Sequence, residues 1–263
     1  MSEPAYYSME YLTYSDVLFK HADDFQIGVL PWGALEPHGL HLPYATDGLL
    51  ANIISYISIE KTYDLKYKFF LLPPIFMGSQ NIGQTDKKLC IHFNTETQFH
   101  VLKDIVHSLN SQGIKRLVII NGHNGNNFKS IIRDIENVYQ DFRIYVCNYL
   151  DIVEHDKHKE PLSLIEFPDV DDHAGFTETC LVMTFLKNFV NTEDLKLQTG
   201  PYEKETDRIN EMWTPRNWDS VSQFTCVGNP SEATPEYGAV IVKHVTDVIS
   251  DSLIEIYKKW TED

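Results

Sequence analysis

Short apolar runs alternate along the chain with longer stretches in which apolar residues recur every three or four positions. The first kind marks strands buried on both faces and the second marks helices that bury one stripe. Their alternation is the pattern of parallel strands joined by crossover helices. Four runs carry the strand signal: residues 25–30 (FQIGVL), 67–72 (YKFFLL, halted by Pro73 and Pro74), 116–120 (RLVII) and 143–148 (RIYVCN). Four stretches carry the helix signal. In residues 95–112, Phe99, Leu102, Ile105, Val106 and Leu109 fall on one face, Thr95 is placed to cap the start and Gly113 follows the end. Residues 127–139, 179–189 and 236–259 read as helices by the same count. Residues 191–232 are polar, carry Pro215 and Pro230, and read as a long excursion or loop. The expected fold class is α/β.

Length and charge narrow this further. A chain of 263 residues with 43% hydrophobic content suits one domain spanning residues 1–263. Twenty-two basic residues against 38 acidic ones give a net charge of -16, a field that repels phosphate backbones and anionic membrane surfaces, so nucleic acid and membrane are not the expected partners. The longest apolar stretches, such as residues 69–77, fall well short of the roughly 20 residues of a membrane span. The N-terminal MSEPAYYSMEY lacks the basic and apolar regions of a signal peptide, and Cys90, Cys147, Cys180 and Cys226 form no CxxC pair. Reduced thiols and a cytoplasmic location are expected. No GxGxxG and no GxxxxGK[ST] follows any strand, which leaves a nucleotide-binding module without support.

The chemistry-bearing residues gather in three places. Residues 31–47 (PWGALEPHGLHLPYATD) crowd Glu36, His38, His41 and Asp47 just past the C-terminal end of the first strand, the edge at which α/β sheets bind ligands. Glu36 and His38 are two apart, so an extended backbone points them the same way, and the turn at Pro43 brings Asp47 back. Two carboxylates and an imidazole suit a divalent metal. His123 lies in Asn121-Gly122-His123-Asn124-Gly125-Asn126, at the equivalent position after the RLVII strand. The third cluster, Asp172-His173-Ala174-Gly175-Phe176-Thr177-Glu178-Thr179, precedes a helix, so Glu178 reads either as a capping carboxylate or as a ligand. Taken singly, each has a plainer reading: an Asn-Gly pair is ordinarily a turn, a lone loop histidine a hydrogen-bonding residue, and His41 a neighbour of the site rather than a ligand. Three clusters offering the same ligand chemistry at strand and helix ends outweigh those readings.

At these residues the chain resembles the creatininase family. Glu36-Pro37-His38-Gly39-Leu40-His41-Leu42-Pro43 followed by Thr46-Asp47 is similar to that family's ExHGxHLP and TD motif. NGHNGN at 121–126 resembles its NGHxxN motif, and His173-Ala174-Gly175 with Glu178-Thr179 its HAGxxET motif, in the same order. Gly228-Asn229-Pro230 with Ala233-Thr234 is a looser match to a C-terminal GDPxxAT pattern. The resemblance implies a three-layer αβα sandwich with a mostly parallel central sheet, hydrolysis of a small-molecule amide, and one or two divalent ions, zinc first and manganese or iron as alternatives. It implies Glu36, His38, Asp47 and His123 as metal ligands with Asp47 bridging, with Glu178 either completing the shell of a second ion or leaving that site weak, and a homo-oligomer, commonly a hexamer. Metal-activated water would attack the carbonyl, His173 would supply the proton to the leaving nitrogen, and Glu178 would serve as ligand or proton shuttle.

Two departures accompany the resemblance. Gly125 stands where creatininase proper has a ligating Glu, which resembles the NGHGGN branch, and residues 78–84 (GSQNIGQ) replace a Glu-His pair and a Phe-Pro-Gly-Thr run. A formamide deformylase or small-peptide hydrolase of cofactor biosynthesis is therefore the alternative within the family. A non-catalytic, metal-stabilised structural or regulatory subunit is the alternative outside enzymes. Trp213 and Trp218 read as a lid or as ordinary packing.

Overall fold

The four apolar runs form one sheet. In the computed structural model, which describes residues 8–20, 25–65, 67–196, 208–209 and 212–261, the elements are, in chain order, β1 (Ile27–Trp32), α1 (Thr46–Asp64), β2 (Phe70–Leu71), α2 (Thr95–Ser111), β3 (Arg116–Asn121), α3 (Phe128–Val138), β4 (Arg143–Asn148), α4 (Tyr149–Asp156), β5 (Asp171–His173), α5 (Phe176–Phe185), α6 (Thr192–Leu195), β6 (Arg208–Ile209), β7 (Met212–Trp213), α7 (Trp218–Val221), β8 (Val227–Gly228) and α8 (Pro235–Thr261). The sheet runs β2-β1-β3-β4 and every pairing is parallel.

Alternation along each strand divides the core in two. Ile27 and Val29 of β1 with Val118 and Ile120 of β3 meet α1, α5 and α8 through Leu50, Ile54, Leu181, Ile241 and Val245. Leu30 and Trp32 with Leu117 and Ile119 meet α2 and α3 through Leu102, Val106, Ile131 and Ile135 on the other face. Helices on both faces of a parallel sheet are the three-layer αβα sandwich that the family motifs imply, and they explain why the strands read as continuous apolar runs rather than alternating ones. Among the described residues, no helix is long and apolar enough to cross a membrane, and all four cysteines are free.

Local expectations are corrected in four places. The helix α1, nineteen residues long, had no clear helical stripe in the sequence, because it is covered on several sides and buries Ser55, Ser58 and Thr62 along with Leu50, Ala51 and Ile54. The cap of α2 is Asn94, whose side chain accepts from the Thr97 N–H at 2.7 Å, and Thr95 is the first helical residue. The helix read over 179–189 is α5, which starts at Phe176 and ends at Phe185. The excursion 191–232 is not featureless: β8 within it pairs antiparallel with β5 and so ties the chain around His173 to a distant segment.

Strand order fixes where a ligand can go. From β1 the chain crosses to β2 on one side, and from β3 it crosses to β4 on the other, so the C-terminal ends of β1 and β3 flank a topological switch point. Two glycines let another element settle there. A Cβ on Gly33 would lie 2.2 Å from the Gly48 backbone nitrogen, and one on Gly122 would lie 2.5 Å from the Asp47 carbonyl oxygen. Glycine at both strand ends thus allows the first turn of α1, and Asp47 with it, to rest on the sheet edge.

Candidate metal centre

Asp47 sits in the first turn of α1 and is 1% exposed. Its two carboxylate oxygens face two different clusters. Oδ1 lies 2.7 Å from His38 Nε2, which is in turn 3.9 Å from Glu178 Oε1. Oδ2 lies 3.0 Å from His123 Nδ1, and the same nitrogen is 2.9 Å from Glu36 Oε1. The ligand atoms of Glu36, Asp47 and His123 fall within 4.8 Å of one another, as do those of His38, Asp47 and Glu178, and those of Glu36, His38 and His173. The four residues of the first two motifs and Glu178 are thus brought together with Asp47 shared between two groups.

The donors suit a divalent ion on a specific observation. Glu36 Oε1 and Asp47 Oδ2 are buried and accept no hydrogen bond, although both lie within 3.0 Å of one ring nitrogen. A single imidazole N–H cannot satisfy two carboxylates, and a buried carboxylate oxygen with no donor is costly without a cation. Against burial, which opposes the charged ring, Asp47, Glu178 and Glu36 raise the His38 pKa to about 10, and Glu36 and Asp47 likewise raise that of His123. Burial also opposes ionisation of Glu36 and Asp47, yet the neighbouring imidazoles hold both carboxyls below their ordinary range. Glu178 goes the other way: burial, reinforced by Asp47 and opposed by His38, pushes it up to about 8.

Each imidazole is oriented by its second nitrogen. His38 Nδ1 pairs with the Glu36 carbonyl at 3.0 Å, His123 Nε2 with the Ser79 carbonyl at 2.6 Å, and His173 Nε2 with the Pro37 carbonyl at 3.0 Å. The His123 contact accounts for Gly125, where a Cβ would come within 2.3 Å of His123 Nε2 and 2.6 Å of the Ser79 oxygen. A glutamate there would displace this orientation. Glu178 Oε2 accepts from the Ala174 N–H at 2.6 Å just ahead of α5, while Oε1 faces His38 at 3.9 Å. His41 bonds Thr179 Oγ1 at 2.9 Å, and burial together with His38 and His173 lowers its pKa to about 4.

Several contributors were invisible in the sequence. Gln84 donates from Nε2 to Glu36 Oε2 at 2.8 Å. Asn126 accepts from Ser79 N–H and from Gln98 Nε2 and donates to Asn121 Oδ1, so the asparagines of the second motif lock two strand ends and segment 78–84 together instead of only forming a turn. Gln84 stands 48 positions from Glu36, and no spacing announced it. Trp218 is buried and packs edge-on against His173 with ring centroids 4.8 Å apart, whereas Trp213 is exposed. Both line a cleft of about 750 Å³ that opens over Glu36, Asp47, His123, His173 and Glu178.

The fold and the cluster define an α/β protein with a paired carboxylate–imidazole centre at a sheet's switch point. The sequence model of the creatininase family, described as creatinine amidohydrolase, matches residues 10–253. The chain belongs to the creatininase family. A crystal structure of a Bacteroides fragilis protein, provisionally assigned as a creatinine amidohydrolase, superposes with a TM-score of 0.84 at 34% identity, covering 95% of this chain and 96% of that one. A mycofactocin precursor peptide peptidase of Mycolicibacterium smegmatis is 24% identical over 89% of this chain and 85% of its own length. The creatinine amidohydrolase of Pseudomonas putida is 27% identical over 63% of this chain and 66% of its own. A creatininase variant described as the Zn-Zn type shares the fold at a TM-score of 0.76 and 21% identity, covering 97% of this chain and 99% of that one.

Proposed function

We propose that this chain is a single-domain, metal-dependent hydrolase of an amide-type C–N bond, in which Glu36, Asp47 and His123 would hold one ion and His38, Asp47 and Glu178 a second. The observation that carries the reading is the shared Asp47, whose two buried oxygens face two ligand groups. Solved creatininases described as Zn-Zn and Mn forms support zinc first and manganese second. Ions bound there would lower the pKa of water and polarise the scissile carbonyl.

The protein's own groups then handle the proton. Burial first, and the charge of His38 next, hold the His173 pKa below its ordinary value. A neutral ring donating from Nε2 to Pro37 presents an Nδ1 lone pair, 3.9 Å from Glu36 Oε1, to the centre. In that tautomer His173 takes a proton before it can give one, so it acts as base toward water and then as acid toward the leaving nitrogen. Glu178 holds its place through Ala174 and stays available as a ligand on its other oxygen. His173→Gln is expected to keep its metal content and to lower kcat by roughly 10²–10⁴-fold. Elemental analysis beside a turnover assay on cyclic amides and formamides checks this, and unchanged turnover would remove His173 from the reaction.

Gln84→Ala tests the positioning of Glu36. Loss of a hydrogen bond to a ligand carboxylate is expected to weaken metal affinity about 10–100-fold, measured by competition with a chromophoric chelator.

A second reading is favoured by the size of the cleft. Its volume of about 750 Å³ lies within the roughly 300–1,000 Å³ of pockets that enclose drug-sized ligands, ample for a substrate larger than one small ring. A formamide or a small peptide of cofactor biosynthesis therefore stands beside a cyclic amide, and the Mycolicibacterium smegmatis peptidase relative supports it. We also place the protein in the cytoplasm as a homo-oligomer, up to a hexamer, a state that light scattering on the purified protein checks directly.

A further inference from the structure

Tyr149 opens α4 directly after the C-terminal end of β4, where Asn148 pairs in register with Asn121 and accepts from its Nδ2 at 2.6 Å. The tyrosine therefore stands at the same sheet edge as the ligand groups. A Cβ on Gly122 would lie 3.1 Å from Tyr149 Cε1 and 2.5 Å from the Asp47 carbonyl oxygen, so the ring packs beside the glycine on which the first turn of α1 rests. The side chain is wholly buried, and its hydroxyl has no hydrogen-bond partner among the described residues. Burial first, then the carboxylates of Glu178 and Asp47, raise its pKa well above that of a free tyrosine. The hydroxyl keeps its proton and faces those carboxylates as a donor.

A buried tyrosine ordinarily finds an acceptor for its O–H, and one that does not carries the full desolvation cost of the donor. Phenylalanine would fill the same space without that cost. The acceptor that matches is Glu178. Its Oε2 already takes the Ala174 N–H, whereas Oε1 accepts no hydrogen bond among the described residues, and His38 Nε2 stands 3.9 Å from it, beyond hydrogen-bond reach. Asp47, by contrast, has each oxygen within 3.0 Å of an imidazole nitrogen. We propose that Tyr149 is a positioning residue for Glu178, its hydroxyl donating to Glu178 Oε1 once that carboxylate holds an ion together with His38 and Asp47. The proposal rests on the two-ion hydrolase reading and adds a coupling to it. A donor that is unpartnered in the stripped chain is satisfied when the second ion binds, so the same hydroxyl disfavours the empty state and strengthens the filled one.

Tyr149→Phe keeps the ring and removes only the hydroxyl. Zinc is titrated into the stripped parent and the stripped variant in competition with a chromophoric chelator, and thermal scans are taken of both stripped proteins. The parent is expected to take up zinc in two steps, of which the one missing from Glu178→Ala belongs to His38, Asp47 and Glu178. In Tyr149→Phe that step should weaken about 10–100-fold, the scale of losing a hydrogen bond to a ligand, and the other step should stay as it is. The stripped variant should melt no lower than the stripped parent, because packing is kept and an unpartnered donor is gone. A role in packing alone would do the opposite, lowering the stripped Tm and leaving both zinc steps in place. An unchanged second step, equal weakening of both steps, or a lower Tm of the stripped variant overturns the proposal, and a two-step parent leaves the paired centre standing in each of those cases. A parent with fewer than two steps removes that centre and the proposal with it. Selective weakening of the second step, with no turnover of cyclic amides or formamides by either protein, would uphold Tyr149 and sink the hydrolase reading.

Discussion

Asp47→Ala is expected to strip both metal positions at once and to lower amide hydrolysis by more than about 10³-fold, beyond the 10–100-fold typical of losing a supporting residue. The reason is geometric. Asp47 Oδ1 faces His38 and Asp47 Oδ2 faces His123, and among the described residues no other single side chain is shared by the two groups. Glu178→Ala, by contrast, removes a carboxylate from the His38 group alone, and about one ion per chain is expected to remain bound by Glu36, Asp47 and His123. Elemental analysis on protein purified without added metal, set beside the two variants, separates the cases. Retention of the parent's full complement by Asp47→Ala would sink the shared-carboxylate centre.

Removing the metal should destabilise the protein, and increasingly so as pH rises. At a free-metal concentration about a thousand times the dissociation constant, binding to the folded chain alone stabilises it by about 4 kcal/mol, on the order of 10 °C in Tm at this size. The pH dependence follows from the raised imidazoles. With no ion bound, the carboxylates around it raise the folded-state pKa of His38 to about 10 from an ordinary 6.5. A raised folded pKa gives stability that is fully present below 6.5 and lost as pH climbs through about 10. His123 is shifted in the same direction. The stripped protein should therefore lose Tm between pH 6.5 and 10 from these groups. Metal binding must displace the same protons, so it strengthens with pH over that window and widens the gap between loaded and stripped protein. Thermal scans of both forms across the window, with proton release followed by an indicator on adding zinc, test the sign. A gap that narrows with rising pH would contradict protonated His38 and His123 in the metal-free state. These scans also bear on the non-catalytic alternative. If the ions served only to hold the fold, the stripped protein would be unfolded at every pH, and His173→Gln would leave every measured property unchanged.

The sequence by itself determined the layered α/β architecture, because strands buried on both faces must be apolar throughout and the helices between them must carry one apolar stripe, as residues 116–121 and 95–111 do. It also determined where the candidate donors gather. Glu36 and His38 two apart, Asp47 after a proline turn and His123 past the next strand of the switch are local spacings, and local backbone geometry suffices to point them at a strand's end. It did not determine α1, whose burial on several sides erases the periodicity that would announce a helix. Nor did it determine the partners that hold the donors in place. Gln84 on Glu36, Ser79 on His123 and Pro37 on His173 each join residues that only folding makes neighbours. The division of Asp47 between two groups belongs to the tertiary structure as well: it depends on the close approach of α1 to the sheet edge, which Gly33 and Gly122 allow, and no one-dimensional pattern records a distance between two backbones.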